Sequence, residues 1–333
     1  MKLFITGATG FVGQGIVNRM SLDGHDMTAL LLPEEEIPAW GSVRCIRGDI
    51  TRPETLVNAM EGMDAVIHLA GAVGYGVSWK ECRRLNVTGT NNVVRSAVLS
   101  GVRRFIHMSS VSVYGRVWGK PLDEESPMKK INDPYGDTKI EAEKIVRAYE
   151  EKGELDLTVI RPTMIYGPGD RLFLPKLIEN LNTGRARIIG KGEHAVDAIH
   201  VKDAADFFGL VLKRPDTVGR TYNLNHPDNP AWKEFIAAVA VALGVRVPDR
   251  HLPYHLAMAL AGFLTLASRL TGKPPRVTRY GVRNVGRPYF YSTHRMTHEI
   301  GFQPKIGLID GIRECVADHA GEVHESSGKG AFK

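Results

Sequence analysis

The chain has 333 residues, 43% of them hydrophobic and 24% charged, and a formal net charge of +6. That balance describes an ordinary globule with a sizeable core, either one large α/β unit or a nucleotide-binding domain with a smaller companion. Cys45, Cys82 and Cys315 are widely spaced, which excludes a disulfide framework and a metal pattern and predicts a reducing, cytoplasmic setting.

The chain enters its first strand at Lys2, which predicts no cleavable leader. A strand at Lys2–Thr6 feeds a helix at Phe11–Leu22. Strands follow at 27–32 and 43–47, the latter closed by Gly48-Asp49, then a helix near 54–60. A strand at 65–69, a long helix at 80–100, a strand at 104–109, a helix at 135–151 and a strand at 157–161 complete the run. Short apolar segments alternating with amphipathic ones predict a parallel sheet covered by helices on both faces.

After Gly167-Pro168-Gly169 the alternation loosens. Helices at Leu174–Asn182 and 232–243 lack regular strand partners, and short strand-like runs at 196–200 and 221–224 are expected to return to the main sheet. The fold class is therefore α/β, a doubly wound parallel sheet with a smaller, mostly helical C-terminal lobe. The dinucleotide domain is assigned to 1–170 with 196–226 returning to it, the substrate lobe to 171–195 and 227–320, and a flexible tail to 321–333. The stretch 252–268 is uncharged but interrupted by Pro253 and His255. It is too short for a membrane span and reads as a buried or pocket-lining helix over 255–270.

Gly7, Gly10 and Gly13 lie between the first strand and its helix, where a glycine turn lets backbone approach a phosphate. The helix N-terminus then offers N–H groups and partial positive charge to an anion. This strand–turn–helix context, with further βα units behind it, predicts a dinucleotide site. Asp49 ends the third strand, where a carboxylate accepts from an adenine amino group or caps the helix at Pro53. His68-Leu69-Ala70-Gly71 ends the fourth strand with small residues, and ligands of such sheets bind beyond the carboxyl ends of the strands.

Tyr135 and Lys139 stand four residues apart on one helix face. A free tyrosine, with a pKa of about 10, is a poor base at neutral pH. A neighbouring ammonium and a positively charged nicotinamide would favour the phenolate. Lys139 would also bond the nicotinamide ribose, and Ser110, at the end of the fifth strand, would donate to a substrate oxygen.

With these residues in place the chain resembles the extended short-chain dehydrogenases/reductases, the NAD-dependent epimerase/dehydratase superfamily with its Rossmann sheet. The resemblance covers roughly residues 1–315. It rests on residues 6–13, Gly48-Asp49, 68–71, Asn86-Val87-Thr88-Gly89-Thr90, Ser109-Ser110-Val111-Ser112-Val113-Tyr114-Gly115, 135–139 and Arg161-Pro162-Thr163-Met164-Ile165-Tyr166-Gly167-Pro168. It implies Ser110, Tyr135 and Lys139 as catalytic residues and Asn86 as the organiser of the active site. It implies Gly7, Thr9, Gly10, Phe11, Val12, Gly13, Asp49, Ile50, Leu69, Ala70, Gly71 and Pro162 around the cofactor, with Tyr135 and Lys139 at its nicotinamide end. It also implies a homodimer through the helices carrying Asn86 and Tyr135.

The second strand ends Ala29-Leu30-Leu31-Leu32-Pro33, without the Asp of many NAD enzymes or the Arg of NADP enzymes. Glu34, Glu35 and Glu36 follow, and one of them reaching the ribose would favour NAD, with NADP left open.

Within the superfamily the chain resembles the 3β-hydroxysteroid dehydrogenase-like branch. Residues 192–203 carry the Val-Asp-x-x-x-Val stretch without the Arg of many nucleotide-sugar enzymes, and Tyr291-Ser292-Thr293-His294-Arg295 precedes Gly301-Phe302-Gln303-Pro304. The resemblance implies oxidoreduction of a hydrophobic alcohol or ketone, sterol-like or keto-lipid-like. A nucleotide-sugar 4-epimerase is the alternative, and a silent scaffold on the same fold is disfavoured by the intact Ser110, Tyr135 and Lys139. Residues 74–79 are expected to wall the substrate site.

No acidic residue lies between Asp249 and Glu299, a stretch holding Arg250, Arg269, Lys273, Arg276, Arg279, Arg283, Arg287 and Arg295. A field of one sign suits an anionic ligand or an anionic lipid surface. No recognition motif accompanies it, so nucleic acid is not expected.

Overall fold

The computed structural model describes residues 1–74, 76–228, 230–271 and 277–328. The first half runs β1 (Lys2–Thr6), α1 (Phe11–Leu22), β2 (Asp26–Leu31), β3 (Arg44–Arg47) and β4 (Ala65–His68). A helical stretch then starts as α2 (Trp79–Cys82), widens to a π-helical turn (Arg83–Gly89) and continues as α3 (Thr90–Leu99). β5 (Arg104–Met108), α4 (Pro134–Glu151), β6 (Asp156–Pro162) and β7 (Met164–Tyr166) follow. The second half holds α5 (Leu174–Asn182), β8 (Ile188–Ile189), β9 (Ala198–His200), α6 (Val201–Lys213) and β10 (Arg220–Leu224). It ends with α7 (Trp232–Ala242), β11 (His251–Leu252), α8 (Tyr254–Thr271), α9 (Arg279–Gly286) and α10 (Leu308–Gly328).

Seven parallel strands make the central sheet in the order β10-β6-β5-β4-β1-β2-β3. Leu3, Phe4 and Ile5 of β1 have no exposed surface, because a central parallel strand is covered on both faces and its sequence is apolar throughout. On one face α1 sets Ile16, Val17 and Met20 in the same cluster as Phe207 and Phe208 of α6. On the other, Val93, Val94 and Ala97 of α3 pack with Val146 of α4 over Phe4, Val66 and Phe105. The chain leaves β1 toward β2 and β3, then crosses back to β4 on the opposite side. The strand ends therefore open a crevice between β1 and β4.

Several expectations change. The helix near 54–60 is a single 3-10 turn, Pro53–Leu56, ended by extended Val57 and by Asn58 at φ 58°. Of the two returning strands, β10 joins the main sheet beside β6, whereas β9 pairs with β7 in a separate two-stranded sheet. Between them stands α6, which the sequence reading missed. α8 does not lie buried: Ala257 and Ala261 face inward, but Leu256, Leu260, Phe263 and Leu266 are exposed. The expected tail from Gly321 instead continues α10 to Gly328, and 329–333 lie outside the described residues.

The smaller lobe has its own core, in which Leu174, Ile178 and Leu181 of α5, Trp232, Phe235 and Val239 of α7 and Ile312 and Cys315 of α10 pack together. Asp203 of α6 accepts from the Lys305 and Ile306 N–H groups at 2.8 and 3.1 Å, tying the approach to α10 onto the sheet domain.

Candidate active site

The turn from β1 to α1 is built for close backbone approach. Gly7 sits at φ 71°, and a Cβ there would stand 2.7 Å from the Ala70 nitrogen. A Cβ on Gly13 would stand 2.0 Å from the Gly7 carbonyl oxygen, so glycine alone fits. Gly10 caps α1 without a side-chain bond, and the first turn holds no acid, which leaves its N–H groups to an anion. Phe11 and Val12 open the helix, with Gly169 against the Phe11 ring.

Behind this turn the strand ends are locked together. Thr6 Oγ1 lies 2.7 Å from His68 Nδ1, and His68 Nε2 lies 2.9 Å from Thr90 Oγ1. Burial, helped by the Lys139 charge, pushes His68 down to about 3, so it is neutral and serves as a hydrogen-bonding strut. The Ala70 N–H donates to Thr6 Oγ1 at 3.3 Å and the Leu69 N–H to the Thr6 carbonyl at 3.1 Å.

Of the three glutamates after β2, the structure singles out Glu35. Its carboxylate accepts from Thr9 Oγ1 and from the Leu32 N–H, each at 2.8 Å, while Glu34 and Glu36 are exposed. Arg47 donates to the carbonyls of Leu32 and Glu35 at 2.7 and 2.5 Å and clamps the loop. Asp49 is half-buried, its Oδ1 accepting from the Thr51 N–H and hydroxyl at 2.8 and 2.9 Å and its Oδ2 lying 3.8 Å from Arg84. It thus closes a local turn without capping the Pro53 turn, whose N-cap is Arg52. Ile50 is buried against Gly89, where a Cβ would meet its Cδ1 at 2.5 Å.

The four expected catalytic side chains lie in one connected cluster. Ser110 caps the 3-10 turn Val111–Tyr114, accepting from the Ser112 N–H at 3.2 Å, and it lies near enough to the Tyr135 phenol to favour its ionisation. Asp133 caps α4, accepting from the Gly136 N–H at 2.8 Å, and Pro134 starts the helix; together they fix where Tyr135 emerges. One turn on, Lys139 is buried and donates to the Met108 carbonyl at 2.8 Å. Asn86 sits in the π-helical turn, a distortion common at functional sites. Its Oδ1 accepts from the Ala72 N–H at 2.7 Å and its Nδ2 donates to Thr138 Oγ1 at 3.0 Å. Gly71 separates Asn86 from Lys139: a Cβ there would stand 2.7 Å from Asn86 Oδ1 and 3.5 Å from Lys139 Nζ. Pro162 ends β6 paired with Leu224, and Thr163 beyond it donates to the Leu224 carbonyl and to Asn225 Oδ1 at 3.3 and 2.9 Å.

The electrostatics differ from the expectation that Lys139 lowers the tyrosine. Burial raises the Tyr135 phenol, and the Ser110 hydroxyl is the group that opposes this. Burial also lowers Lys139 to about 8, against the attraction of Glu143 one turn along.

Sequence reasoning missed a polar network behind the cluster. Glu143 accepts from Ser109 Oγ at 2.8 Å and from Arg161 Nε at 3.1 Å, and Arg161 also donates to the Tyr114 hydroxyl at 2.8 Å. Tyr114 donates to Asn223 Oδ1 at 2.6 Å. Burial pushes the Glu143 carboxyl up, but Arg161 and Ser109 outweigh it and hold it ionised. The Arg161 and Glu143 pairing joins β6 to α4 and so braces the helix that carries Tyr135 and Lys139.

It also missed a cavity of about 180 Å³ between the loop leaving Ser110 and the smaller lobe. Arg116, Trp118, Tyr254, Arg283, Arg287 and Tyr289 line it, and Arg287 lies 5.3 Å from the Trp118 ring centre and 4.5 Å from that of Tyr254. The hints were the acid-free run and the aromatics flanking it. Of the expected wall 74–79, Tyr75 lies outside the described residues, Gly74 faces Leu172, and Ser78 caps α2 by accepting from the Glu81 N–H.

The chain matches the NAD dependent epimerase/dehydratase family over residues 3–225. It is 29% identical to the 2-alkyl-3-oxoalkanoate reductase of Stenotrophomonas maltophilia, covering 96% of this chain and 100% of that one. It is 28% identical to the 3-beta-hydroxysteroid dehydrogenase of Mycolicibacterium neoaurum, covering 95% and 90% respectively. Among solved structures it resembles MoeE5 in complex with UDP-glucuronic acid and NAD, with a TM-score of 0.77 and 25% identity over 97% of this chain and 100% of that one.

Proposed function

The chain belongs to the NAD dependent epimerase/dehydratase family, and from that premise we propose that it interconverts a secondary alcohol and a ketone on a hydrophobic substrate, using NAD. The observation that carries the proposal is the cluster itself, with Ser110 beside the Tyr135 phenol and Tyr135 standing one helical turn from Lys139 on α4. The tight approach at Gly7 and Gly13 fits a dinucleotide pyrophosphate, since any side chain there would fill the space.

NAD, when bound, accepts or supplies the hydride. Gly7, Gly10 and Gly13 with Thr9, Phe11 and Val12 would hold its pyrophosphate, and Glu35 its adenosine ribose. Asp49 and Ile50 would border the adenine, and Leu69, Ala70, Gly71 and Pro162 the nicotinamide half. Tyr135 moves the proton between its phenol and the substrate oxygen, and Ser110 donates to that oxygen and keeps it in line. The Lys139 ammonium, below its lowered pKa, holds the ribose hydroxyls and stabilises phenolate as it forms. Asn86 keeps the loop beyond β4 in place through the Ala72 N–H.

Two features support a hydrophobic, acid-bearing substrate. Trp118, Tyr254 and Tyr289 give the cavity ring surfaces, while Arg116, Arg283 and Arg287 give it cations. The name of one relative contains a branched 3-oxo acid and that of another a sterol. The same arginines favour a second reading, a nucleotide-sugar 4-epimerase, in which they hold a diphosphate. We also propose a homodimer through the outer faces of α3 and α4, to be checked by light scattering, and contact with anionic lipid during turnover.

A panel of 3-oxo acids, sterols and UDP- or dTDP-sugars, followed by reduced-cofactor absorbance, tests the substrate class. The hydrophobic reading expects turnover of the first two groups. Competitive inhibition by free UDP at micromolar level, against substrate and not against NAD, would overturn it in favour of the sugar-nucleotide reading.

A further inference from the structure

α8 has two faces of different character. Its inner face sets Ala257 and Ala261 against Val282 of α9, and the Tyr254 ring lies so near Gly286 that a Cβ there would meet it at 2.5 Å. Its outer face leaves Leu256 50%, Leu260 44%, Phe263 69% and Leu266 59% exposed. Steps of four, three and three residues place these four on one side of the helix. A contiguous apolar ridge of this kind marks an interaction surface.

The charge around the ridge says what covers it. The helix lies inside the run from Asp249 to Glu299 that holds no acid at all. Arg279 lies along the flank of the helix, where a Cβ on Gly262 would stand 3.3 Å from its Nε, one residue from Phe263. Arg250 and His251 are exposed just before the helix. An isologous pairing with a second copy would set this cationic surface against itself, which is repulsive. An apolar face rimmed by unopposed cations instead matches an anionic bilayer, with the side chains among acyl chains and the cations at lipid phosphates. No helix among the described residues is long and apolar enough to cross a membrane, so the geometry is that of a helix lying on the surface.

We propose that α8 is a membrane-docking helix that seats the protein on anionic bilayers through Leu256, Leu260, Phe263 and Leu266, with Arg279 and its neighbours at the headgroups. Tyr254 begins this helix and also lines the arginine-aromatic cavity. Docking therefore brings the rim of the cavity to the lipid surface, where an amphiphile enters without crossing water. This extends the lipid-contact part of the proposed function, and it is tested without turnover so that the two stand or fall separately.

The experiment is co-sedimentation of the full chain with phosphatidylglycerol/phosphatidylcholine vesicles and with pure phosphatidylcholine vesicles. Binding is expected only to the anionic ones and should fade with added salt. Leu260→Asp/Phe263→Asp should weaken it by at least about tenfold and Arg279→Glu by a smaller factor. NAD affinity and melting temperature should not change in either variant. Wild-type protein that stays in the supernatant overturns the proposal, as does undiminished binding of the double variant. A double variant that turns a dimer into a monomer in light scattering also overturns it, because the ridge would then be a self-interface. Turnover of a water-soluble ketone without vesicles bears on the chemistry alone.

Discussion

The Lys139 ammonium donates to the Met108 carbonyl oxygen at 2.8 Å, which ties the middle of α4 to the end of β5, two residues before Ser110. This bond registers the helix bearing Tyr135 against the strand that leads to Ser110. Burial gives Lys139 a pKa of about 8. The cation that would hold the ribose is therefore present at neutral pH and lost just above it.

Below about 8 Lys139 is charged and would grip the ribose hydroxyls; above it the neutral amine would be a weaker donor. The NAD dissociation constant measured by calorimetry should stay flat to neutral pH and rise as pH passes that value. Lys139→Ala should weaken NAD binding and turnover together and abolish this pH dependence. Unchanged nicotinamide binding in that variant would remove Lys139 from the cofactor site.

Tyr135→Phe should lower turnover by about two to four orders of magnitude, the scale of general acid–base catalysis, with NAD affinity barely changed. Burial raises the phenol in this structure, so the rate should climb with pH through the free enzyme's tyrosine ionisation in the oxidative direction. Near-normal turnover in the variant would show that another group moves the proton.

The proposed preference for NAD over NADP rests on Glu35. Its carboxylate is already fixed by Thr9 and Leu32, yet each oxygen keeps a lone pair for a ribose hydroxyl. A 2′-phosphate brought there would meet like charge. NAD should bind more tightly than NADP, and Glu35→Gln should narrow the gap. Dissociation constants in the opposite order would point to Arg44 or Arg47 as a phosphate partner.

What the sequence reveals and what it hides divides by range. The glycine turn and the Tyr135 and Lys139 pair were legible because turn geometry and helical spacing are local requirements written in adjacent residues. The partners that set the chemistry were not: Met108 for Lys139, Thr9 for Glu35 and Arg161 for Glu143 come together only when the sheet forms. α6 escaped because Phe207, Phe208, Leu210, Val211 and Leu212 run almost without a break. A helix packed on more than one side loses its clean periodicity. The short helix at 54–60 was over-read, since one turn cannot offset the cost of nucleation and Asn58 adopts left-handed backbone. The apolarity of α8 predicts a buried or pocket-lining helix; Tyr254 at its start does line the cavity, but Leu256, Leu260, Phe263 and Leu266 face outward.

Asp197 supplies a test of stability against pH. Burial raises its carboxyl to about 7, with the Asn225 amide donating to it at 3.0 Å. A carboxyl whose pKa is higher in the folded than in the unfolded chain binds more protons when folded. Its contribution is thus fully present below about 4 and is lost as pH rises toward the folded value. Asp197→Asn keeps an oxygen for Asn225 but cannot ionise. Relative to wild type, its urea midpoint should rise progressively as the pH goes from about 4 to about 8. Parallel midpoints at both pH values would show that Asp197 titrates normally.

Gly71→Ala tests whether the catalytic cluster depends on close packing. The backbone at Gly71 is not in the left-handed region, so alanine meets no conformational barrier there, only a steric one. Its methyl group would overlap Asn86 Oδ1 at 2.7 Å and crowd Lys139 Nζ at 3.5 Å. Asn86 must then yield its bond to the Ala72 N–H, leaving a buried donor without its partner at a cost of about 1–3 kcal/mol. The melting temperature should fall modestly, while turnover should fall by more than that loss of stability explains, because Lys139 and the strand end move with Asn86. Asn86→Ala should reproduce the loss of turnover, and combining the two changes should add little, since both break the same contact. Additive losses in the double variant would mean that Gly71 acts on the cofactor directly and not through Asn86.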